Sequence, residues 1–354
     1  MHTFLFILGS IFIVFSWLHL IRYEAWWIRA SDFPHIQLFI PLAIIVVAVL
    51  ALYGLQTTSD YVFFGAAGIT LIYHIYRIRP YTPFHAHQVL PSEKGQKSGD
   101  SIRLLIFNVY MGNTQCDAFL NLVTAYDPDL ILTVETNRHW LHKLKPLEKT
   151  YSHTVHCPLE NTYGMLLYSR FPVVHQEINF LVQDDVPSFY IQIQLPSQRI
   201  IDFHGVHPRP PAPGENNRST ERDVELIQVA KRARQSTRPV MIAGDLNDVA
   251  WSHTTRLFQR ISGLLDPRIG RGMFNTFHAK YFLLRWPLDH VFVSHHFKLI
   301  EIARLPNCGS DHFPIYAHLH YEPDAESVEN KPKADQSDFA EAKRKEEQLA
   351  NESA

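Results

Sequence analysis

The sequence is poor in cysteine and shows no strong excess of either charge. Cys116, Cys157 and Cys308 are too few for a disulfide framework, and without a C-x-x-C pair there is no sign of zinc or thiol redox chemistry. Lys and Arg total 33 against 35 Asp and Glu, a formal net charge of −2. That is far from the basic excess by which nucleic-acid binders release counterions. The charge is unevenly placed: from Glu322 onward ten acids face five bases, so this segment carries −5 and the remainder +3. No internal repeat is visible. A chain that is 46% hydrophobic and 19% charged is neither collagen-like, fibrous nor wholly disordered. Its 354 residues provide for one large domain or two ordinary ones with a real core.

What is abundant is uncharged sequence near the N-terminus. Runs near 3–21, 36–55 and 61–77 each approach the length of helix that matches a hydrocarbon layer of ~30 Å. Pro41 falls in the first turns of the second run, where proline is tolerated. No Lys or Arg precedes the first run and no small-residue cleavage site follows it, so a multi-pass membrane region is expected rather than a signal peptide. Trp26 and Trp27 sit where interfacial anchors are common. Arg22 and Arg29 lie between the first two runs, and Arg77, Arg79, Lys94 and Lys97 follow the third, whereas Thr57-Thr58-Ser59-Asp60 carries no cation. Positive-inside counting then places the C-terminal part in the cytoplasm of a cell-membrane protein.

Residues 80–101 read as a linker, with Pro80, Pro83, Pro91, Gly95 and Gly99 and no periodicity. Beyond it, short apolar runs alternate with helical spacing. Strands are expected at 102–107, 129–134, 164–168, 189–195, 199–206, 240–243, 288–293, 299–303 and 314–319, and helices at 116–126 and from Ser219 to Arg234. Many strands with interspersed helices over 102–321 indicate a layered α/β or α+β domain. The charged segment 322–354 has Phe339 as its single aromatic residue and reads as disordered or as a solvated helix.

Several strand candidates end in residues suited to a hard cation and a phosphate. Asn108 closes Leu-Leu-Ile-Phe-Asn, Glu135 closes Leu-Ile-Leu-Thr-Val-Glu, His207 closes Phe-His-Gly-Val-His, and Gly244-Asp245-Leu246-Asn247 follows Val-Met-Ile-Ala. A polar residue at the end of an apolar strand points into a crevice from a rigid backbone. Taken singly, Glu135 reads more readily as an exposed loop acid, and Asp245 reads equally as a turn or helix cap. Asp289-His290 before Val-Phe-Val, and Ser310-Asp311-His312 before the last strand, extend the pattern.

This set, with Ser169-Arg170-Phe171-Pro172, resembles the endonuclease/exonuclease/phosphatase superfamily of deoxyribonuclease I-like fold in order and spacing over 102–320. The resemblance implies a four-layered β-sandwich flanked by helices, with a divalent cation in its cleft. A few spans ahead of such a domain are similar to a membrane-bound bacterial branch, for which an outward-facing catalytic domain is implied, opposite to the charge count. Glu135 then offers a hard oxygen ligand for Mg2+ or Mn2+, with Asp311 as a direct or supporting partner and Asn108 orienting the carboxylate or touching phosphate. Asp245 aligns or deprotonates the attacking water, and Asn247 donates to a phosphoryl oxygen. His312, held by Asp289, manages phosphate charge, and His207 is a second phosphate-facing imidazole placed to protonate the leaving group. Asn275 and Arg209 are further candidates to line the substrate. His290 and Cys308 read as structural.

The pattern also departs from the family. Members that cut at abasic sites carry an acid two residues after the first Asn, where this chain has Tyr110. The segment after His207, Pro-Arg-Pro-Pro-Ala-Pro, has no aromatic–basic interleave for stacking bases. The expected function is a membrane-anchored phosphoesterase acting on a lipid-linked or small phosphorylated compound. A nuclease and a catalytically dead scaffold are the alternatives. Nucleic acid is not favoured as a partner by the charge, and the bilayer is.

Overall fold

The computed structural model describes residues 1–21, 23–92, 100–325 and 331–352. Arg22, Lys94 and Lys97 of the charge count, and Gly95 and Gly99 of the linker, lie outside the described residues. The chain begins with helices α1 (His2–Leu18), α2 (Trp26–Arg29), α3 (His35–Tyr53) and α4 (Thr58–Ile78). The apolar character of α1, α3 and α4 makes them helices that need no polar face. Phe4, Ile7, Ile44, Val47, Val62 and Ile69 all point outward, more than half exposed. Ile45, Val49 and Phe63 pack inward on one another.

Two apolar helices, His35–Tyr53 with 19 residues and Thr58–Tyr81 with 24, are long enough to cross a bilayer, and α1 is shorter at 17. Helix α4 opens with a capping box, Thr57 accepting from the Asp60 amide while the Asp60 carboxylate accepts from the Thr57 amide. The three helices alternate in direction, α3 antiparallel to α1 and α4. His2 meets the Tyr53 ring edge-on and lies 3.4 Å from Asp60 at one end, while His19, His35, Tyr73 and Arg77 meet at the other.

Eleven strands follow among the described residues: β1 (Ser101–Asn108), β2 (Leu130–Val134), β3 (His153–Cys157), β4 (Met165–Ser169), β5 (Val173–Asn179), β6 (Ser188–Gln194), β7 (Ile200–Val206), β8 (Val240–Asp245), β9 (Asp289–Val293), β10 (Phe297–Arg304) and β11 (Ile315–Tyr321). Helices α5 (Cys116–Tyr126), α6 (Arg138–Leu144), α7 (Thr220–Gln235), α8 (His253–Ser262) and α9 (Gln336–Glu352) flank them. One sheet has the order β10-β11-β1-β2-β4-β3 and the other β5-β6-β7-β8-β9. Even-numbered residues of β1 (Leu104, Ile106) meet Ile191, Phe203 and Met241 between the sheets. Odd-numbered Leu105 and Phe107 pack on Phe119 and Trp140 of α5 and α6. On the outer face of the second sheet, Ile242 and Phe292 pack against Leu226, Phe258 and Ala342 of α7, α8 and α9. Both faces of the central strands are therefore buried, which is why they read as continuous apolar runs rather than alternating ones.

The segment 322–354, read from its composition as disordered or solvated, carries α9, which docks on α7 and α8. Ala342 is fully buried, and Lys345 reaches the buried Asp223 at 2.9 Å and Glu24 at 2.6 Å. Part of the linker is also fastened to the domain: the Ser92 amide donates to the Leu299 carbonyl, and the Gln88 side chain accepts from the Asp266 amide.

Candidate active site

Sheet topology brings the polar strand ends together. β1 and β2 run parallel, so Asn108 stands opposite Val134 and beside Glu135; β7 and β8 run parallel, so Val206 stands opposite Gly244. The antiparallel β8–β9 pair sets Asp245 directly against Asp289. The backbone bends sharply at this edge. Tyr110, Glu135 and Asn247 all adopt left-handed φ, at 57°, 59° and 51°, a conformation that costs non-glycine residues energy and recurs where side chains must be aimed. Gly244 has φ 144°, and a Cβ there would come 1.9 Å from the Val206 carbonyl oxygen. Only glycine lets β8 lie this close to β7 and present Asp245 to the cleft.

The side chains form one hydrogen-bonded cluster. Asn108 Nδ2 donates to Glu135 Oε1 at 2.8 Å and to Asp245 Oδ2 at 3.0 Å, and its Oδ1 accepts from the Tyr110 amide, which fixes the orientation of the amide. Asp245 Oδ1 accepts from the Asn247 amide at 2.9 Å. His312 pairs through Nδ1 with Asp289 Oδ2 at 2.8 Å, and its Nε2 lies 3.6 Å from Asp245 Oδ2. Ser310 Oγ donates to the Asn108 carbonyl and accepts from the His312 amide, which ties the last loop to β1.

The electrostatics divide this cluster in two. Burial alone would lower His312, but the flanking Asp289 and Asp245 outweigh it and push the imidazole up to about 10. The triad therefore holds a proton on His312 between two carboxylates. Glu135 is raised above the usual carboxylate range by burial and by the neighbouring Asp311, against the pull of Asn108 and His312. The Asp311 carboxylate thus disfavours the ionised form of Glu135, toward which Asn108 turns its Nδ2. Two neighbouring carboxyl groups of this kind suit a hard divalent cation. Asp245, Asp289 and His312 also place one ligand atom each within 4.8 Å of one another. Both nitrogens of His312 already face carboxyl groups there.

Other residues singled out from the sequence fall around this centre. His207 is buried against the Tyr163 ring at 5.4 Å, with Nδ1 lacking a partner among the described residues. Burial, with the His312 charge nearby, drops its pKa to about 3, so it stands as a neutral imidazole that can bond a phosphoryl oxygen rather than as a proton source for the leaving group. Asn247 uses its amide on the Pro208 carbonyl at 2.9 Å, which braces the His207 segment against the Asp245 turn. Asn275 keeps a buried side-chain oxygen without a partner among the described residues. Arg209 is not brought into the cluster: it lies over Tyr163 at 4.7 Å and pairs with Asp185 at 2.6 Å. His290 is structural, held between the Arg268 guanidinium and the Asp248 carbonyl.

Sequence reasoning missed Tyr163, whose loop has no periodicity to mark it, and the rim formed by 277–286. Phe277 packs on the His312 ring at 4.9 Å, and the Ala279 amide donates to the Asp311 carbonyl at 2.6 Å. From there Tyr281, Phe282, Leu283 and Leu284 form an exposed apolar loop, with Phe282 77% and Leu283 74% exposed. Lys280 and Arg285 flank it. Gln37, near the start of α3, donates to the Leu283 carbonyl at 2.9 Å, and Phe33 stacks edge-on against Trp286. Four consecutive apolar residues were the available signal.

Comparison with known proteins places this arrangement. Residues 105–312 match the Endonuclease/Exonuclease/phosphatase family. No curated protein matches the chain. Among solved structures, TDP2 of D. rerio complexed with single strand DNA product is 17% identical and aligns over 62% of this chain and 99% of that one, with a TM-score of 0.51. The human Nocturnin catalytic domain with bound sulfate anion is 16% identical over 62% of this chain and 94% of that one, also at 0.51. An endonuclease/exonuclease/phosphatase from Beutenbergia cavernae is 17% identical over 63% and 72%, at 0.50. At these identities the likeness is one of fold.

Proposed function

Because this chain belongs to the endonuclease/exonuclease/phosphatase family, whose members are typically metal-dependent hydrolases of phosphoesters, we propose that it is a membrane-anchored phosphoesterase. In this reading α1, α3 and α4 all span the bilayer, the domain faces the cytoplasm as the arginine distribution directs, and the substrate is a lipid-linked or small phosphorylated compound. The observation that carries the chemistry is the Asn108 amide joining Glu135 to Asp245 within hydrogen-bond distance, next to the Asp289–His312 pair.

Glu135 and Asp311, with Asn108 beside them, would hold a cation of the Mg2+ or Mn2+ type. Such an ion, when bound, neutralises phosphate charge and polarises the ester. The rest falls to the chain's own groups. Burial and the neighbouring Asp289 raise the Asp245 carboxyl above the usual carboxylate range, against the pull of the charged His312; its ionised form, held at both oxygens, can align a water and take its proton. His312 faces the phosphoryl group with positive charge where negative charge grows in the transition state. Asp289 fixes the ring and keeps it protonated. His207 offers a neutral nitrogen to an equatorial oxygen.

The position of the rim loop favours a substrate presented at the bilayer surface. Tyr281–Leu284 lies against the helix expected to cross the membrane and leads directly to His312, so an ester anchored in lipid reaches the cleft without leaving the interface. Tethering raises the local concentration of enzyme and substrate in the same layer. No observation favours nucleic acid equally: Arg209, the cation nearest His207 in sequence, is engaged by Asp185. The test is a metal-dependent activity screen of the full chain on phosphatidate-type lipids, nucleotides and DNA. Turnover on the lipid phosphate exceeding that on DNA supports the reading, and the reverse order replaces it with a nuclease.

A further inference from the structure

A second group of cations gathers away from the catalytic cleft, where the N-terminal helices meet the soluble domain. Two cavities of about 430 and 370 Å3 lie here and share Arg77, Arg256 and Arg260 as walls. The larger adds Arg79 and Lys333, the smaller Arg29. No aspartate or glutamate lines either one, and no residue of the Asn108–His312 cluster does so.

Only part of this charge is answered by the protein. Arg77 pairs with Asp32 at 2.9 Å and Arg260 with Asp338 at 2.8 Å. Arg29 donates to the Ile21 and Tyr23 carbonyls, which leaves its charge uncompensated. Arg79, Arg256 and Lys333 have no ion pair among the described residues, and all three are exposed. Guanidinium groups converging without a carboxylate are the arrangement that receives a phosphate. The cavities are also amphipathic: Tyr76 at the end of α4 lines the larger and Leu20 the smaller, both more than half exposed beside the cations. A phospholipid offers that pairing of phosphate and acyl chain at the same level of the membrane, and basic pockets at the ends of spanning helices are suited to it.

We propose that this junction is a phosphate-binding site separate from the catalytic cleft, filled by the headgroup of an anionic phospholipid that fastens the domain to the bilayer. The proposal rests on the membrane reading above but not on the hydrolytic one. The test uses the full chain in nanodiscs of mixed phosphatidylglycerol and phosphatidylcholine, with the lipid retained on delipidation counted by mass spectrometry. The wild-type protein should retain phosphatidylglycerol over phosphatidylcholine by roughly thirtyfold, the scale two membrane-facing cations supply. Arg79→Gln with Arg256→Gln should lose that preference, while turnover of a soluble substrate and the melting temperature stay unchanged.

A wild-type protein without preference, or a preference intact in the double variant, overturns the site. Displacement of the retained lipid by millimolar inorganic phosphate overturns the lipid as occupant. Should the double variant not fold, the wild-type preference and the single Arg79→Gln change decide alone. Extraction of the chain from membranes by alkaline carbonate would instead defeat the membrane reading itself, so the two failures are distinguishable.

Discussion

Asn108 joins the corner proposed for the cation to the one proposed for the attacking water, since a single amide donates to both Glu135 and Asp245. Replacing it by aspartate would set a third carboxylate between two others. Asp245→Asn and His312→Ala should each lower turnover by roughly 10²-fold or more, because both act on charge that develops in the transition state. Steady-state kinetics should show the loss in kcat rather than KM, and the double variant should be little worse than the poorer single one. Equal losses in KM alone would contradict these roles. Asp289→Ala should cost less, as its carboxylate acts through the imidazole. Residue types at strand ends made Asn108, Glu135, Asp245, Asp289 and His312 legible in the sequence. Nothing there showed that Arg209 would be taken by Asp185 and Tyr163, since that partner is 24 residues away and marked by no pattern.

A second residue-scale expectation concerns stability. Glu225 on α7 is fully buried, and one of its oxygens lacks a partner among the described residues. Burial pushes its pKa from an ordinary 4.5 up to about 8. A carboxyl raised in the folded state gives stability that is complete below about 4.5, is lost as pH rises, and levels off above about 8. Glu225→Gln should therefore melt above the wild type at alkaline pH and alongside it near pH 4. Parallel melting curves across that range would show that the carboxyl is not desolvated.

Among elements, the central strands buried on both faces were found from the sequence pattern, as was the outer strand β10, whereas helix α8 was not. Helix α5 begins and ends where its apolar spacing does, and β1, β2, β7 and β8 are apolar runs because helices cover one face and the other sheet covers the second. The missed strands β3 and β5 are the outer strands of their sheets. With one side paired and much of β5 exposed, His-Gln-Glu within Val173–Asn179 carries no apolar signature. Helix α9 was hidden for the opposite reason: it docks through ion pairs and one alanine, not an apolar stripe. Lys345→Met should accordingly lower the melting temperature by several degrees, because it removes one of two cations facing the buried Asp223. An unchanged melting curve would mean α9 is dispensable. At the rim, Phe282→Ser with Leu283→Ser should reduce turnover of a bilayer-embedded phosphoester several-fold and leave a short-chain soluble one untouched. Equal effects on both would detach the loop from the membrane.

On the scale of the whole molecule, the junction between helices and domain is a set of specific bonds rather than a flexible tether. The Arg77 guanidinium donates to Asp32 and to the Trp251 carbonyl, Trp251 Nε1 donates to the Asp32 carbonyl at 2.8 Å, and the Tyr81 hydroxyl reaches the Ala250 carbonyl at 2.7 Å. In the proposed membrane arrangement such a joint would hold the cleft and its rim loop at a set height above the bilayer. With the three spans proposed, the N-terminus and the domain would lie on opposite sides of the membrane. A reporter fused after Ala354 should read cytoplasmic, and cleavage of the domain by protease outside intact cells would reverse the orientation drawn from charge.

The most direct measurement is hydrolysis of a phosphoester by the full chain in lipid, with and without divalent cation, for the wild type, Glu135→Gln and Asp245→Asn, each checked for an unchanged melting temperature. The account expects turnover that a chelator abolishes, that Mg2+ or Mn2+ restores, and that both folded variants lack. Cation-dependent turnover equal to the wild type in a well-folded Glu135→Gln or Asp245→Asn protein would contradict it.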